Sequence, residues 1–151
     1  MQESTGALSV AIVEDDPRIQ QLLLAEIQDE GHNAVVYSSA EDFLDNASAQ
    51  QFDLVLLDVN LPDGDGLEAL SSIKNGASEP EVIIITAEGN AEGARMAIDF
   101  GAWDYILKPI EDMSVLYHSV KKCLKLRLEQ VMILIHLILY RYYPYRTFFV
   151  V

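Results

Sequence analysis

The sequence is poor in the residues that would hold a protein together outside a reducing compartment. It contains one cysteine, Cys123, so no disulfide can form within the chain. The N-terminal residues lack the basic start and apolar core that mark a secretory signal. These two absences predict a cytoplasmic protein.

Basic residues and long apolar runs are also scarce. Ten Lys and Arg stand against 24 Asp and Glu, which gives a net charge of −14. This balance argues against direct binding of nucleic acid by the chain. The longest apolar run, Val131–Leu139 with His136 inside it, is far shorter than the ~20 residues that span a bilayer. We therefore expect no insertion into a membrane.

The composition changes near Gln130. All 24 acidic residues lie in positions 1–130, whereas positions 131–151 contain only the two charged residues Arg141 and Arg146. A chain of this length suits one compact domain. We therefore expect an N-terminal tail at 1–7, a domain at 8–128 and an apolar C-terminal extension at 129–151.

Within the domain, five short apolar runs alternate with helix-like segments. Nearly continuous apolarity is typical of strands that are covered on both faces. The predicted strands are Leu8–Val13, Ala34–Tyr37, Asp53–Leu57, Val82–Thr86 and Asp104–Leu107. The alternation predicts a parallel sheet between two layers of helices, with ligand-binding loops at the carboxyl edge of the sheet.

The helix boundaries follow from capping and stop residues. Pro17 opens the first helix after Asp16 and Gly31 ends it, Ser39 or Ala40 opens the second, Gly66 opens the third, Asn90 to Phe100 form the fourth, and the fifth begins near Glu111. Gly93 lies inside the fourth helix and costs about 1 kcal/mol relative to alanine. The fourth helix is therefore predicted to be the least stable of the five.

Charged residues follow three of the predicted strands. The acidic group Glu14, Asp15 and Asp16 follows the first strand, Asp58 follows the third, and Lys108 follows the fifth. Carboxylates that converge at a buried edge repel one another unless a cation joins them. Oxygen ligands of this kind favour Mg²⁺.

These residues make the sequence resemble the receiver domains of two-component response regulators. The matching segments are IVEDD (12–16), LVLLDVNLPDGDG (54–66), VIIITA (82–87) and DYILKP (104–109). The resemblance implies an α/β fold, a flavodoxin-like (CheY-like) doubly wound five-stranded parallel sheet of order 2-1-3-4-5 with five helices. The segment GAWDYILKPI is most similar to receivers of sigma-54-dependent (NtrC-type) transcription regulators.

The resemblance also implies a role for each matching residue. Asp58 would accept a phosphoryl group from a histidine kinase. Lys108 would pair with the Asp58 carboxylate and later with a phosphoryl oxygen, and Thr86 would donate its hydroxyl to that group. Lys108 and Pro109 would be joined by a cis peptide. Tyr105 would be the switch aromatic that changes the face formed by the fourth helix, fifth strand and fifth helix.

The same resemblance implies a Mg²⁺ site, which Mn²⁺ would also fill. Asp15 and Asp58 would bind the ion, Glu14 would bind it directly or through water, and the main-chain carbonyl of Asn60 would complete the set. Asp16 is the less favoured ligand, because it is better placed to cap the first helix.

The expected protein is a signalling receiver and not an enzyme, apart from its own phosphotransfer and dephosphorylation. An output ATPase or DNA-binding domain would follow if the chain is a fragment, so that phosphorylation regulates transcription; the alternative is a single-domain receiver. An aspartyl-phosphate phosphohydrolase of the haloacid-dehalogenase-like type is disfavoured, since Asn60 stands where a second aspartate would protonate the leaving group. Two receivers would pair through the face containing Tyr105 or through the C-terminal helix.

The C-terminal extension permits three interpretations. Leu124, Leu128, Val131, Ile135, Ile138 and Tyr142 follow 4-3-4-3-4 spacing, which is typical of a helix that pairs with another helix. On that interpretation the fifth helix continues to about Tyr143, before Pro144. A second interpretation is a solvated helix of a monomer, but the apolar residues on every side of the segment argue against it. The third interpretation is a non-native end from cloning or a truncated reading frame.

Overall fold

A computed structural model describes residues 7–46, 50–76, 79–87 and 89–142. In chain order the elements are β1 (Ser9–Val13), α1 (Pro17–Asp29), β2 (Asn33–Tyr37), α2 (Ala40–Asn46), β3 (Leu54–Leu57), β4 (Asn60–Leu61), β5 (Gly64–Asp65), α3 (Gly66–Lys74), β6 (Glu81–Thr86), α4 (Ala91–Asp99), β7 (Asp104–Leu107) and α5 (Met113–Tyr142).

Five of these strands form one parallel sheet of order β2-β1-β3-β6-β7. The predicted five-stranded sheet of order 2-1-3-4-5 is therefore confirmed, since β6 and β7 are the fourth and fifth predicted strands. The observed ends of the sheet strands differ from the predicted ones by at most one residue. The additional strands β4 and β5 form a small antiparallel hairpin immediately after Asp58.

Helices cover both faces of the sheet, as the continuous apolar strands predict. Alternate residues of β1 point to opposite sides: Ala11 and Val13 join a core with α2, α3 and α4, whereas Val10 and Ile12 join a core with α1 and α5. Cys123 lies in the second core, where burial raises the pKa of its thiol to about 12. The thiol therefore packs as a small apolar group.

Side-chain caps set the beginnings of several helices. Asp16 accepts a hydrogen bond from the backbone N–H of Arg18 at 2.8 Å and caps α1, while Asn90 accepts one from Gly93 at 2.5 Å and caps α4. Gly93 is the third residue of α4, so it lies inside the helix as predicted, in its first turn. A Cβ on Gly93 would stand 3.0 Å from the capping oxygen of Asn90, which explains why a small residue suits this turn.

The last helix is much longer than the others. α5 has 30 residues and continues well beyond the sheet to Tyr142, so the predicted continuation toward Pro144 is confirmed as far as the structure describes the chain. Among the described helices, none has both the length and the apolarity that crossing a membrane requires.

An aspartate distant in sequence caps α2. The carboxylate of Asp63 accepts hydrogen bonds from the backbone N–H of Glu41 at 2.9 Å and of Ala40 at 3.3 Å. These hydrogen bonds hold the pKa of Asp63 below its ordinary value of 3.8. A pKa that is lower in the folded chain stabilises the fold above pH 3.8, and this stabilisation is lost as the pH falls through the lowered pKa.

We expect Asp63→Ala to lower the melting temperature at pH 7, since it removes the acceptor of two N–H groups in the first turn of α2. A lost cap costs about 1 kcal/mol in typical helices. The difference from the wild type should shrink as the pH falls below 3.8, because the wild-type carboxylate then becomes protonated. Thermal unfolding followed by circular dichroism between pH 2.5 and 7 measures this difference. Asp45→Ala, which removes an exposed aspartate of α2, is the control; an equal loss in both variants would contradict the capping role.

Candidate functional site

Three strand ends bring charged side chains to the carboxyl edge of the sheet. β1 and β3 are neighbours in register, with Val13 opposite Leu57, so Glu14 and Asp58 emerge side by side. Both side chains are buried, with 1% and 5% of their surface exposed. β7 is separated from β3 by β6, so a side chain from its end must reach across one strand.

Lys108 spans this gap with its long side chain. Its Nζ donates a hydrogen bond to Asp58 Oδ2 at 2.8 Å and a second, short one to Glu14 Oε2. Its backbone N–H donates to the carbonyl of Thr86 at 2.8 Å, which holds the residue against β6. The peptide bond between Lys108 and Pro109 is cis.

Burial and pairing oppose each other at this site. Burial raises the pKa of Glu14, although hydrogen bonds from Lys108 and from the backbone N–H of Asp16 act in the other direction. Burial lowers the pKa of Lys108, but its hydrogen bonds with Asp58 and Glu14 outweigh that effect, and the pKa lies above its ordinary value. The ammonium is therefore held in its charged form between two carboxylates.

The backbone fixes the second oxygen of each buried carboxylate. Asp58 Oδ1 accepts a hydrogen bond from the N–H of Asn60 at 2.8 Å, and Glu14 Oε1 accepts one from the N–H of Asp16 at 3.0 Å. In the turn after Asp58, the backbone of Gly66 lies close to that of Val59, and an added Cβ on Gly66 would lie 2.2 Å from the Cα of Val59. Only glycine allows α3 to begin this close to the site.

Glu14, Asp15 and Asp58 form a group that fits a divalent cation. Each offers a carboxylate oxygen, and these oxygens lie within 4.8 Å of one another. The side chain of Asp15 is exposed, which leaves it accessible to an ion arriving from solvent. Three carboxylates against the single ammonium of Lys108 leave negative charge at the edge, and an all-oxygen donor set is what Mg²⁺ prefers.

The structure places Asp16 apart from this group. Its carboxylate accepts hydrogen bonds from the backbone and the guanidinium of Arg18, and these bonds lower its pKa. It is the cap of α1, whereas Asp15 carries the oxygen that meets Glu14 and Asp58.

Thr86 lies on β6, the strand next to Asp58, and Tyr105 lies on β7, one strand farther away. Thr86 is buried at the end of β6, one strand away from Asp58. Tyr105 is half-buried on β7 opposite Ile84, and its hydroxyl lies beside the first turn of α4, 3.5 Å from where a Cβ on Gly93 would stand. The carboxylate site, β7 and the first turn of α4 are therefore spatial neighbours.

Sequence reasoning missed several residues that support the site. Gln20 Nε2 donates to the main-chain oxygen of Glu14 at 2.6 Å, and Ser119 Oγ donates to Asp104 Oδ2 at 2.5 Å, which ties α5 to β7. Sequence reasoning paired Lys108 with Asp58 but did not expect its bond to Glu14. Nothing in the local sequence around Gln20 or Ser119 indicates these contacts, because each joins residues on different elements.

Comparison with known proteins gives a consistent result. The family model described as "Response regulator receiver domain" matches residues 10–121. The transcriptional regulatory protein PcoR of Escherichia coli is 33% identical over 102 residues, which are 68% of this chain and 45% of PcoR. The chain therefore spans about half the length of the curated relatives that it matches.

Two solved structures show the same likeness. The signal receiver domain of a putative LuxO repressor protein from Vibrio parahaemolyticus is 30% identical, with a TM-score of 0.78 over 84% of this chain and 98% of that one. The response regulator DrrB, described as a Thermotoga maritima OmpR/PhoB homolog, is 30% identical, with a TM-score of 0.73 over 81% of this chain and 54% of that one.

The comparisons do not support the predicted likeness to sigma-54-dependent regulators, because the subfamily that they name is OmpR/PhoB. The segment GAWDYILKPI, which suggested that likeness, contains β7 and the lysine that follows it. The broader identification does not depend on it, since the matched region includes β1 to β7. By this match, and by the order of its sheet, the chain belongs to the response regulator receiver domain family.

Proposed function

We propose that this chain is the phosphoacceptor domain of a two-component phosphorelay and that Asp58 takes a phosphoryl group from a histidine kinase. The observation that carries the proposal is the environment of the Asp58 carboxylate. It is buried at the end of β3, held by Lys108 Nζ and by the N–H of Asn60, and grouped with the oxygens of Glu14 and Asp15.

In the proposed step an oxygen of Asp58 attacks phosphorus in line with the leaving group. The new O–P bond forms as the bond between phosphorus and the kinase imidazole nitrogen breaks, and that nitrogen keeps the electron pair. The hydrogen bonds of Lys108 and Asn60 orient the carboxylate, so the attacking oxygen needs little further ordering.

Asp15, Asp58 and Glu14 would hold Mg²⁺, or Mn²⁺ in its place, together with the main-chain carbonyl of Asn60. The ion would supply positive charge to the oxygens of the transferring group. Phosphorylation converts one negative charge at Asp58 into a larger one. Lys108 already lies within hydrogen-bond distance of Asp58 Oδ2, so a phosphoryl oxygen there would remain within reach of the ammonium.

We further propose that the signal leaves through Thr86 and Tyr105. The hydroxyl of Thr86, one strand from Asp58, would move to a phosphoryl oxygen, and the ring of Tyr105 would turn inward. Tyr105 borders the first turn of α4, so this movement changes the surface formed by α4, β7 and α5. The change is a shift between two populated states of this surface.

The output is proposed to be regulation of transcription in the cytoplasm, through an output domain of the kind that response regulators carry. PcoR is named as a transcriptional regulatory protein and is about twice as long as the matched segment. We propose no sigma-54-dependent output.

We expect Asp58→Asn to abolish Mg²⁺-dependent incorporation of phosphate from a small donor such as acetyl phosphate. Amide nitrogen in place of the carboxylate oxygen removes the nucleophile while keeping the shape of the side chain. Mass spectrometry or radiolabel incorporation measures the modification. Asp53→Asn, at the opposite end of β3, is the matched control and should be labelled like the wild type. Labelling of Asp58→Asn at the wild-type level would contradict the proposal.

We expect Asp15→Asn to weaken Mg²⁺ binding at least tenfold and Asp16→Asn to leave it within about twofold, on the order of the effects of other metal-site substitutions. The physical reason is that Asp15 contributes to the oxygen group, whereas Asp16 is occupied by Arg18. Isothermal titration calorimetry of the two variants and the wild type measures the affinities. The reverse order of affinities would exchange the two assignments.

A further inference from the structure

The outer part of α5 presents apolar side chains on every side. From Val131 to Tyr142, nine large apolar side chains have between 44% and 72% of their surface exposed: Val131, Met132, Ile133, Leu134, Ile135, Leu137, Ile138, Tyr140 and Tyr142. A helix solvated on one side carries polar residues along that side, whereas this segment has only His136 and Arg141 among its apolar residues. Its surface is that of a helix that is covered by something else.

The exposed area is large enough for a stable interface. An aliphatic side chain offers roughly 60–120 Å² and an aromatic one roughly 150–250 Å², so these nine expose roughly 400–800 Å² per chain. Two such surfaces could bury at most roughly 800–1,600 Å² in total, a range that reaches the size of specific protein–protein interfaces. The area exposed on one chain extends beyond the usual largest apolar patch of a monomer.

The charge distribution indicates a second copy of the chain as the occupant. A chain with a net charge of −14 repels its own copies over most of its surface. The described part of α5 beyond Gln130 contains no acidic residue and one arginine, Arg141. It is therefore a stretch along which two copies can approach without bringing their acidic residues together.

A heptad row fixes which side of the helix forms the contact. Leu124 is buried in the core with α1, which sets the rotation of α5 relative to the domain. Four residues on, Leu128 lines an open cleft of about 410 Å³ between α1 and α5, together with Ile27 and Val120. The row then continues through Val131, Ile135, Ile138 and Tyr142 with the spacing of a helix pair. Apolar surface is thus continuous from the domain to the end of the described helix.

We propose that two copies of this chain associate through the outer part of α5, with the row from Leu128 to Tyr142 as the seam. Met132, Leu134 and Leu139 flank the row and widen it. Ile133 lies on the side away from the row. The association requires neither Mg²⁺ nor phosphorylation, so it is separate from the chemistry proposed for Asp58.

Sedimentation equilibrium of the full chain at micromolar concentration, with chelator and no phosphodonor, tests the proposal. The expected mass is that of two chains. Ile135→Glu places a charge in the seam and should weaken association on the order of 100-fold. Ile133→Glu adds the same charge to the same helix outside the seam and should remain within a few-fold of the wild type. Circular dichroism of both variants establishes that the domain is folded.

Three results would overturn the inference. The first is a monomeric wild type that instead sediments with phosphatidylcholine vesicles, which would make a lipid surface the occupant. The second is a dimer that survives Ile135→Glu. The third is dissociation by Ile133→Glu as strong as that by Ile135→Glu, which would show an effect of charge and not of the row. Failure in any of these ways leaves the labelling of Asp58 unaffected.

Discussion

The ammonium of Lys108 between two buried carboxylates is the contact on which the site depends. Glu14 and Asp58 emerge side by side because β1 and β3 are neighbours, and without a cation their repulsion and desolvation would oppose that strand order. The lysine reaches them across β6 from the end of β7. One side chain thus links the ends of three strands. Its positive charge partly neutralises the carboxylates at this edge of the sheet, although Lys108 is 50 positions from Asp58 and farther still from Glu14 in sequence.

This arrangement couples the charge at Asp58 to the rest of the molecule. Lys108 is attached to β7, which also carries Tyr105, and Asp104 at the start of the same strand accepts a hydrogen bond from Ser119 of α5. A change in what Lys108 contacts therefore acts on a strand that borders α4 on one side and is bonded to α5 on the other. A reaction at Asp58 can therefore affect the surface formed by α4, β7 and α5 without a long chain of intermediate residues. The reason is that β7, a strand of four residues, contributes to both.

Sequence reasoning succeeded where the information was local. Continuous apolar runs located the five sheet strands to within a residue at either end, and Asp16 as a cap followed from its place before Pro17. It failed where two elements meet. Nothing in the sequence around Asp63 indicates that its oxygens bind the first N–H groups of a helix more than 20 residues earlier. The sigma-54 likeness relied on ten residues that specify a strand and a lysine, features that do not determine an output domain.

The sequence by itself determined the alternation of strands and helices, the parallel sheet and the three strand ends at which charged residues stand. Those features depend on periodicity and on the exit of charged groups from apolar runs, both of which are visible along the chain. The tertiary structure was needed to show that Lys108 pairs with Glu14 as well as Asp58, and that α5 leaves its outer turns uncovered within the described chain. The physical reason is that hydrogen bonds and burial depend on distances between elements, and these distances are fixed by packing across the sheet and not by neighbours in sequence.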